Sequence, residues 1–243
     1  MDIFAFPPIA TLLDLTSRGL MQLASLLDPL AGAAAAVAIL TLVVRMLLIP
    51  AGVAQAKAEQ ARVRLAPRLR ALQTRHRSDP ARLQRETMQL YRDEKVSPFA
   101  GLLPMLVQAP VIGLLSAVFL HPTIAGHSNA LLDQTLLGVP LGDSLWGTLT
   151  SGAPDLATLT VCGALVVLIA LVGELTRRLL RPPAPAADAP PVPALAAGAL
   201  GMLQFTTAAF AIFVPLAASI SLTVTVAWTL AQRVVLRRRY PLK

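Results

Sequence analysis

The sequence is short of charge, of aromatic rings and of cysteine. Only 14% of its residues are charged and 5% aromatic, whereas 55% are hydrophobic and the mean hydropathy is +0.65. A soluble domain usually carries about a quarter of charged residues, so this balance suits lipid as the solvent. The one cysteine, Cys162, excludes an internal disulfide framework and a CxxC metal pair, and reads as a small packing residue in an apolar run. His76, His121 and His127 are dispersed, with no carboxylate–histidine spacing suited to zinc. GxGxxG, P-loop and GxSxG patterns are absent, as are the paired aspartates or Ser–His pair of an intramembrane protease. The expectation is a protein that is not an enzyme and uses no metal or cofactor. The N-terminus, MDIFAFPPIA, starts acidic and has no small-residue cleavage site, so no cleavable signal peptide is expected.

What is present is segregated. A bilayer core of about 30 Å needs roughly 20 apolar residues in a helix. Apolar runs at 29–55, 98–120 and 156–176 each meet that length, and the long stretch after Ala194 divides at Pro215 into 194–214 and 215–236. The fold class expected is all-α, a polytopic membrane protein with five transmembrane helices. Residues 1–28 alternate Leu12, Leu15, Met21 and Leu23 with Asp14, Ser17 and Arg18, the pattern of an amphipathic helix lying on the outer membrane surface. In 56–97 the spacing of Val63, Leu65, Leu69 and Leu72, then of Leu83, Leu90 and Tyr91, predicts two amphipathic helices. Asp79–Pro80 supplies an N-cap and first-turn proline for the second, so the segment is a helical hairpin. Residues 177–193 hold six prolines from Pro182 to Pro193 and are expected to be an irregular linker.

Twenty-one Lys and Arg against thirteen Asp and Glu give a net charge of +8. These cations fall in blocks between spans, which disfavours a nucleic-acid binder with charge spread over a soluble surface. Between the first two spans lie eleven of them, from Lys57 to Lys95, whereas 121–155 has none and carries Asp133, Asp143 and Asp155. Arg177, Arg178 and Arg181 follow the third span, and a basic tail at 237–243 follows the fifth. The positive-inside rule then puts the N-terminus and 121–155 outside, and the hairpin, linker and C-terminus in the cytoplasm.

Arg45 is the one basic residue well inside a span. An arginine in hydrocarbon costs a few kcal/mol, so it faces a protein interior or a wet cavity, or else snorkels to the headgroups from its place five residues before Pro50. Both readings stand on the sequence. Polar company comes from Gln108 in the second span, from Gln204, Thr206 and Thr207 in the fourth, and from Ser219, Ser221, Thr223, Thr225, Thr229 and Gln232 in the fifth. Membrane serines and threonines commonly bond to their own backbone, and the alternation at 219–225 selects no single helical face.

The stretch LTLVVRMLLIP from Leu40 to Pro50 resembles the first core span of the YidC family of membrane protein insertases. The resemblance continues through Leu65-Ala-Pro67-Arg-Leu69-Arg-Ala-Leu72-Gln73, Asp79-Pro80, Glu86, Leu90-Tyr91, Pro98, Gly101, Leu103-Pro104 and Gln108-Ala-Pro110. Pro215 and Gln232 also fall where the family has a proline before, and a glutamine near the end of, its last span. The family's usual cysteine before Leu103-Pro104 is Leu102 here. Its usual glycine and aromatics after the last-span proline are Ala217, Ser221 and Leu222. The resemblance implies an insertase and chaperone that receives nascent membrane proteins in a hydrophilic groove within the cytoplasmic leaflet. Arg45, Gln108, Gln204, Thr207, Ser221, Thr225 and Gln232 would line that groove. The partners it implies are nascent membrane proteins and the phospholipid bilayer, with the Sec translocon and the ribosome. A role only alongside the Sec translocon stays open, and so does a small transporter or channel binding an anionic solute at Arg45, although the internal repeats of such proteins are not found.

The charge pattern generates a direct test of topology. Reporters fused after residue 130 should read as outside, and those after 75, 187 and 243 as cytoplasmic; a cytoplasmic signal at 130 would sink the five-span arrangement.

Overall fold

The computed structural model describes residues 7–27, 32–97, 99, 103–124, 127–152, 155–180 and 205–241. Most of the expected linker at 177–193, most of the expected fourth span at 194–214, and Gln204 lie outside the described residues. In chain order the described elements are α1 (Pro7–Leu26), α2 (Gly32–Leu47), α3 (Ile49–Arg75), α4 (Pro80–Asp93), α5 (Leu103–Leu120), strands β1 (Thr123–Ile124) and β2 (His127–Ser128), α6 (Ala130–Asp133), strands β3 (Thr135–Leu136) and β4 (Val139–Pro140), α7 (Leu145–Thr150), α8 (Leu156–Leu179), α9 (Thr206–Ala211) and α10 (Leu216–Arg239). The protein is mostly helical. Two of these helices, α8 and α10, are long and apolar enough to cross a bilayer, and α2 with α3 makes a third if counted as one broken span. Helix α5 has 18 residues, hence a length of about 27 Å, close to the hydrocarbon thickness.

Prolines and caps set the helix limits. Pro50 lacks the N–H that would continue the ladder, so the break falls at Leu48 and α3 starts at Ile49. The first helix of the expected hairpin therefore begins inside the apolar run rather than after residue 55. Asp79 caps α4 through its carboxylate, which accepts from the Arg82 amide at 2.9 Å. Asp155 caps α8 by accepting from the Thr158 amide at 2.9 Å and from its hydroxyl at 2.7 Å.

The chain forms two compact bodies, Met1–Met46 with Val111–Leu230, and Leu47–Pro110 with Ala231–Lys243. In the first, the core gathers Leu20 of α1, Val37 of α2, Phe119 of α5, Leu131, Leu141 and Leu216, all at most 2% exposed. Residues 121–152 are not an open loop. Two antiparallel two-stranded hairpins form there, the second turning through Leu137 and Gly138, both at positive φ. Buried Asn129 organises the segment: its Nδ2 donates to the carbonyls of Val118 at 2.7 Å and His121 at 3.0 Å, completing the end of α5. The carbonyls of Leu141 and Asp143 accept from the Ala217 and Leu216 amides at 2.9 and 2.8 Å, and so satisfy first-turn donors of α10. Trp146 stacks at a tilt on Phe213, centroids 5.3 Å apart.

The second body is an antiparallel pair, α3 and α4, joined with the end of α10. Two carboxylates clasp the pair. Near the turn, Glu86 takes Arg82 Nε at 3.0 Å and lies 2.9 Å from Nε2 of the buried His76. At the base, Glu94 takes Arg68 and, at 3.1 Å, Arg64. The Arg82 hydrogen bond, helped by His76, holds the Glu86 carboxyl below the usual carboxylate range. Along α3, the side chain of Gln232 lies over Gly52 so closely that a methyl group there would fall 2.0 Å from its Nε2.

Two predictions follow from this packing. Gly52→Ala should lower thermal stability in detergent by about 1 kcal/mol, because overpacking of about 1–3 kcal/mol exceeds the helix-propensity gain of about 1 kcal/mol. In a Gln232→Ala background the same change should raise stability; equal signs in both backgrounds would exclude the contact. The Glu86 clasp, with its carboxyl depressed from 4.5, is fully present above that pH and is lost as pH falls through the lower folded value. Spin labels at Gln73 and Arg85 should therefore broaden in distance on acidification, and Glu86→Gln should remove that pH dependence.

Candidate functional site

The polar residues expected at the site belong to different elements, and their surroundings differ. In the first body, Arg45 sits in the last turn of α2, half-buried. One turn earlier, Thr41 is 1% exposed; its hydroxyl donates to the Val37 carbonyl at 2.7 Å and lies 3.2 Å from the Ser221 hydroxyl of α10. This pair marks a change in packing. The buried residues of α2 end at Thr41, and the continuous buried run of α10, Leu216 to Ile220, ends one residue before Ser221. Beyond it, Arg45 on one helix and Thr223 and Thr225 on the other are half-exposed.

Hydrogen bonding divides these residues further. Thr223 and Thr229 spend their hydroxyls on the carbonyls of Ser219 and Thr225, at 2.8 and 2.7 Å, as membrane threonines do. Arg45 is different: among the described residues no acceptor or carboxylate engages its guanidinium, and none engages the Thr225 hydroxyl as a donor. By contrast, Arg177 and Arg178 both spend their charge on Glu174, at 2.7 Å each. An uncommitted guanidinium presents five donors in a planar fork suited to carboxylate or phosphate. The arrangement can therefore receive an anion. Among the described residues no group of three or more His, Cys, Asp or Glu could hold a metal.

The remaining candidates stand apart from one another. Thr207 is half-buried on α9, whose Ala208 and Ala211 pack with Ile169 of α8 and Leu222 and Val226 of α10. In the second body, Gln108 is half-buried on α5, and Gln232 has a buried Nε2 with no hydrogen-bond partner among the described residues. The structure thus brings Ser221 and Thr225 to successive turns of α10, and joins Ser221 to Thr41 rather than to another residue of the expected set. Thr41 and Gly52 escaped the sequence reading. Thr41 had a signal, its place one turn before Arg45 on the same helix face. Gly52 had a weaker one, an isolated glycine within a helical pattern.

Over residues 28–243 the chain matches the family described as 60Kd inner membrane protein. A stretch of 89 residues is 35% identical to the Membrane protein insertase YidC of Clostridium perfringens (strain 13 / Type A), covering 37% of each chain. Another of 98 residues is 40% identical to the protein of that name from Oceanobacillus iheyensis, covering 38% of this chain and 39% of that one. A third, of 76 residues, is 38% identical to its counterpart in Paraburkholderia phymatum, covering 31% and 14%. These alignments span well under two thirds of the relatives' lengths, whereas the family match takes in nearly the whole of this chain. By that match, from the first apolar run to the basic tail, the chain belongs to the 60Kd inner membrane protein family, that of YidC and Oxa1.

Proposed function

We propose that this protein is a membrane protein insertase of the inner membrane, which takes up polar or acidic ends of nascent membrane proteins beside Arg45 and releases their apolar segments into lipid. The relatives that carry the name insertase support this reading. The observation that carries it is the change in packing at Thr41 and Ser221, beyond which a half-buried arginine stands without a partner among the described residues. An arginine so placed is costly in hydrocarbon, and an incoming carboxylate offsets that cost. The substrate's apolar segment then leaves for lipid, driven by burial of roughly 20 apolar residues. Arg45, Thr207, Ser221 and Thr225 are the substrate-facing residues of the first body in this proposal; Gln108, Gln204 and Gln232 are separate candidates.

The accompanying topology has five spans, an outer N-terminus and a cytoplasmic C-terminus. The α3–α4 hairpin then lies in the cytoplasm, where it meets the emerging chain. The partners in this proposal are nascent membrane proteins and the bilayer, with the Sec translocon and the ribosome on the cytoplasmic side.

Reconstitution of the purified protein alone into liposomes, followed by insertion of a small single-span protein with an acidic outer tail, tests the reading. Charge-assisted hydrogen bonds contribute about 1.5–3 kcal/mol, so Arg45→Ala should slow insertion by roughly tenfold or more. Arg45→Lys should keep much of the activity, because charge rather than fork geometry is required. Neutralising the acidic residues of the substrate tail should shrink the Arg45→Ala defect. Normal insertion by Arg45→Ala at equal protein level would defeat the receiving role and favour snorkelling.

A further inference from the structure

The second body contains a basic cavity that the insertion reading leaves unused. It has a volume of about 260 Å³ and is lined by Lys57, Gln60, Ala61, Arg64 and Pro241. Lys57, Gln60 or Ala61, and Arg64 recur at the three-four spacing that puts them on one face of α3. The opposite wall is Pro241, two residues past the end of α10. Gln60 Nε2 donates to the Pro241 carbonyl at 3.1 Å, and Lys57 Nζ sits 5.8 Å from the centre of the Tyr240 ring. These ties hold the segment after α10 against α3, close behind three consecutive arginines, Arg237 to Arg239, in the last turn of α10.

The charges in the cavity are only partly cancelled, since the one carboxylate of Glu94 is shared between Arg64 and Arg68. Arg64 gives one nitrogen to Glu94, at 3.1 Å, and keeps its other donors; among the described residues Lys57 has only the Tyr240 ring. Among the described residues no acidic side chain lines the cavity. Its depth follows from the chain. Lys57 stands two helical turns past Pro50, where the apolar run of the first span gives way to charged residues, and the cavity's other wall follows directly on the end of α10. Both walls therefore emerge at the level of lipid headgroups.

We propose that this cavity binds the headgroup of an anionic phospholipid, its phosphodiester held between Lys57 and Arg64. Basic pockets at the ends of membrane helices take anionic headgroups through such charge pairing. The proposal rests on α10 being a membrane span, not on insertion activity, and its test reads lipid rather than inserted protein.

The full-length protein is exchanged from vesicles of equal parts phosphatidylglycerol and phosphatidylcholine into detergent, and the lipid retained by each variant is counted by mass spectrometry. The wild type should retain phosphatidylglycerol preferentially. Lys57→Gln and Arg64→Gln should each reduce that retention roughly fivefold, and the pair together about thirtyfold. Lys57→Arg should preserve it, and so should Arg85→Gln, which removes an exposed cation of α4 away from the cavity. Lys57→Gln leaves the Glu94 clasp intact, so its result does not depend on hairpin stability. Unchanged retention in Lys57→Gln would overturn the proposal. Equal loss in Arg85→Gln would overturn it in favour of diffuse charge attraction, and displacement by inorganic phosphate in favour of a free-phosphate site.

Discussion

A peptide group buried away from water must find its hydrogen-bond partner within the protein. In the first body this constraint bears hardest at the start of α10. Pro215 interrupts the chain just before it, leaving first-turn amides with no helical acceptors. The carbonyls of Leu141 and Asp143 take that place. They can do so only because residues 121–152 are folded tightly, with Leu131, Val139 and Leu141 fully buried and Asn129 finishing the end of α5. The capped end of α10 and the folded segment therefore depend on each other. The well-packed core collects around that junction, and the looser, more polar surroundings of Arg45 begin where it ends.

Several features were legible because they depend on a few neighbouring residues. Asp79–Pro80 was readable as a helix start, and Pro215 as a break, since both act through local backbone chemistry. The family could be recognised from the motifs around Arg45 and in the hairpin. What stayed hidden depends on residues far apart in sequence. The meeting of Thr41 with Ser221, and of Gly52 with Gln232, joins positions 180 residues apart on helices whose pairing no local pattern reveals. Residues 121–155, expected only to lie outside, gave no periodic signal because the strands there are two residues long. The break at Leu48 was hidden by uninterrupted apolarity on both sides of Pro50. The number of spans rests on the lengths of apolar runs and their orientation on charge counting, and Gln204 and most of the linker lie outside the described residues.

Arg45 and the two hairpin clasps show the same chemistry used in opposite ways. Glu86 and Glu94 each hold two basic groups between α3 and α4, and the bonds to the exposed arginines among them orient the helices but stabilise them little. Arg45 is half-buried on the apolar helix α2, where a carboxylate would stabilise it more, and among the described residues none engages it. A residue kept without its natural counter-ion at such a place costs stability, which an arriving ligand can return.

The single cysteine carries a practical consequence. Cys162 is 3% exposed, sealed into the first body's core, so thiol reagents in water cannot reach it. A cysteine placed at Arg45, Thr225 or Lys57 would then be the one exposed thiol open to a crosslinker, dye or spin label.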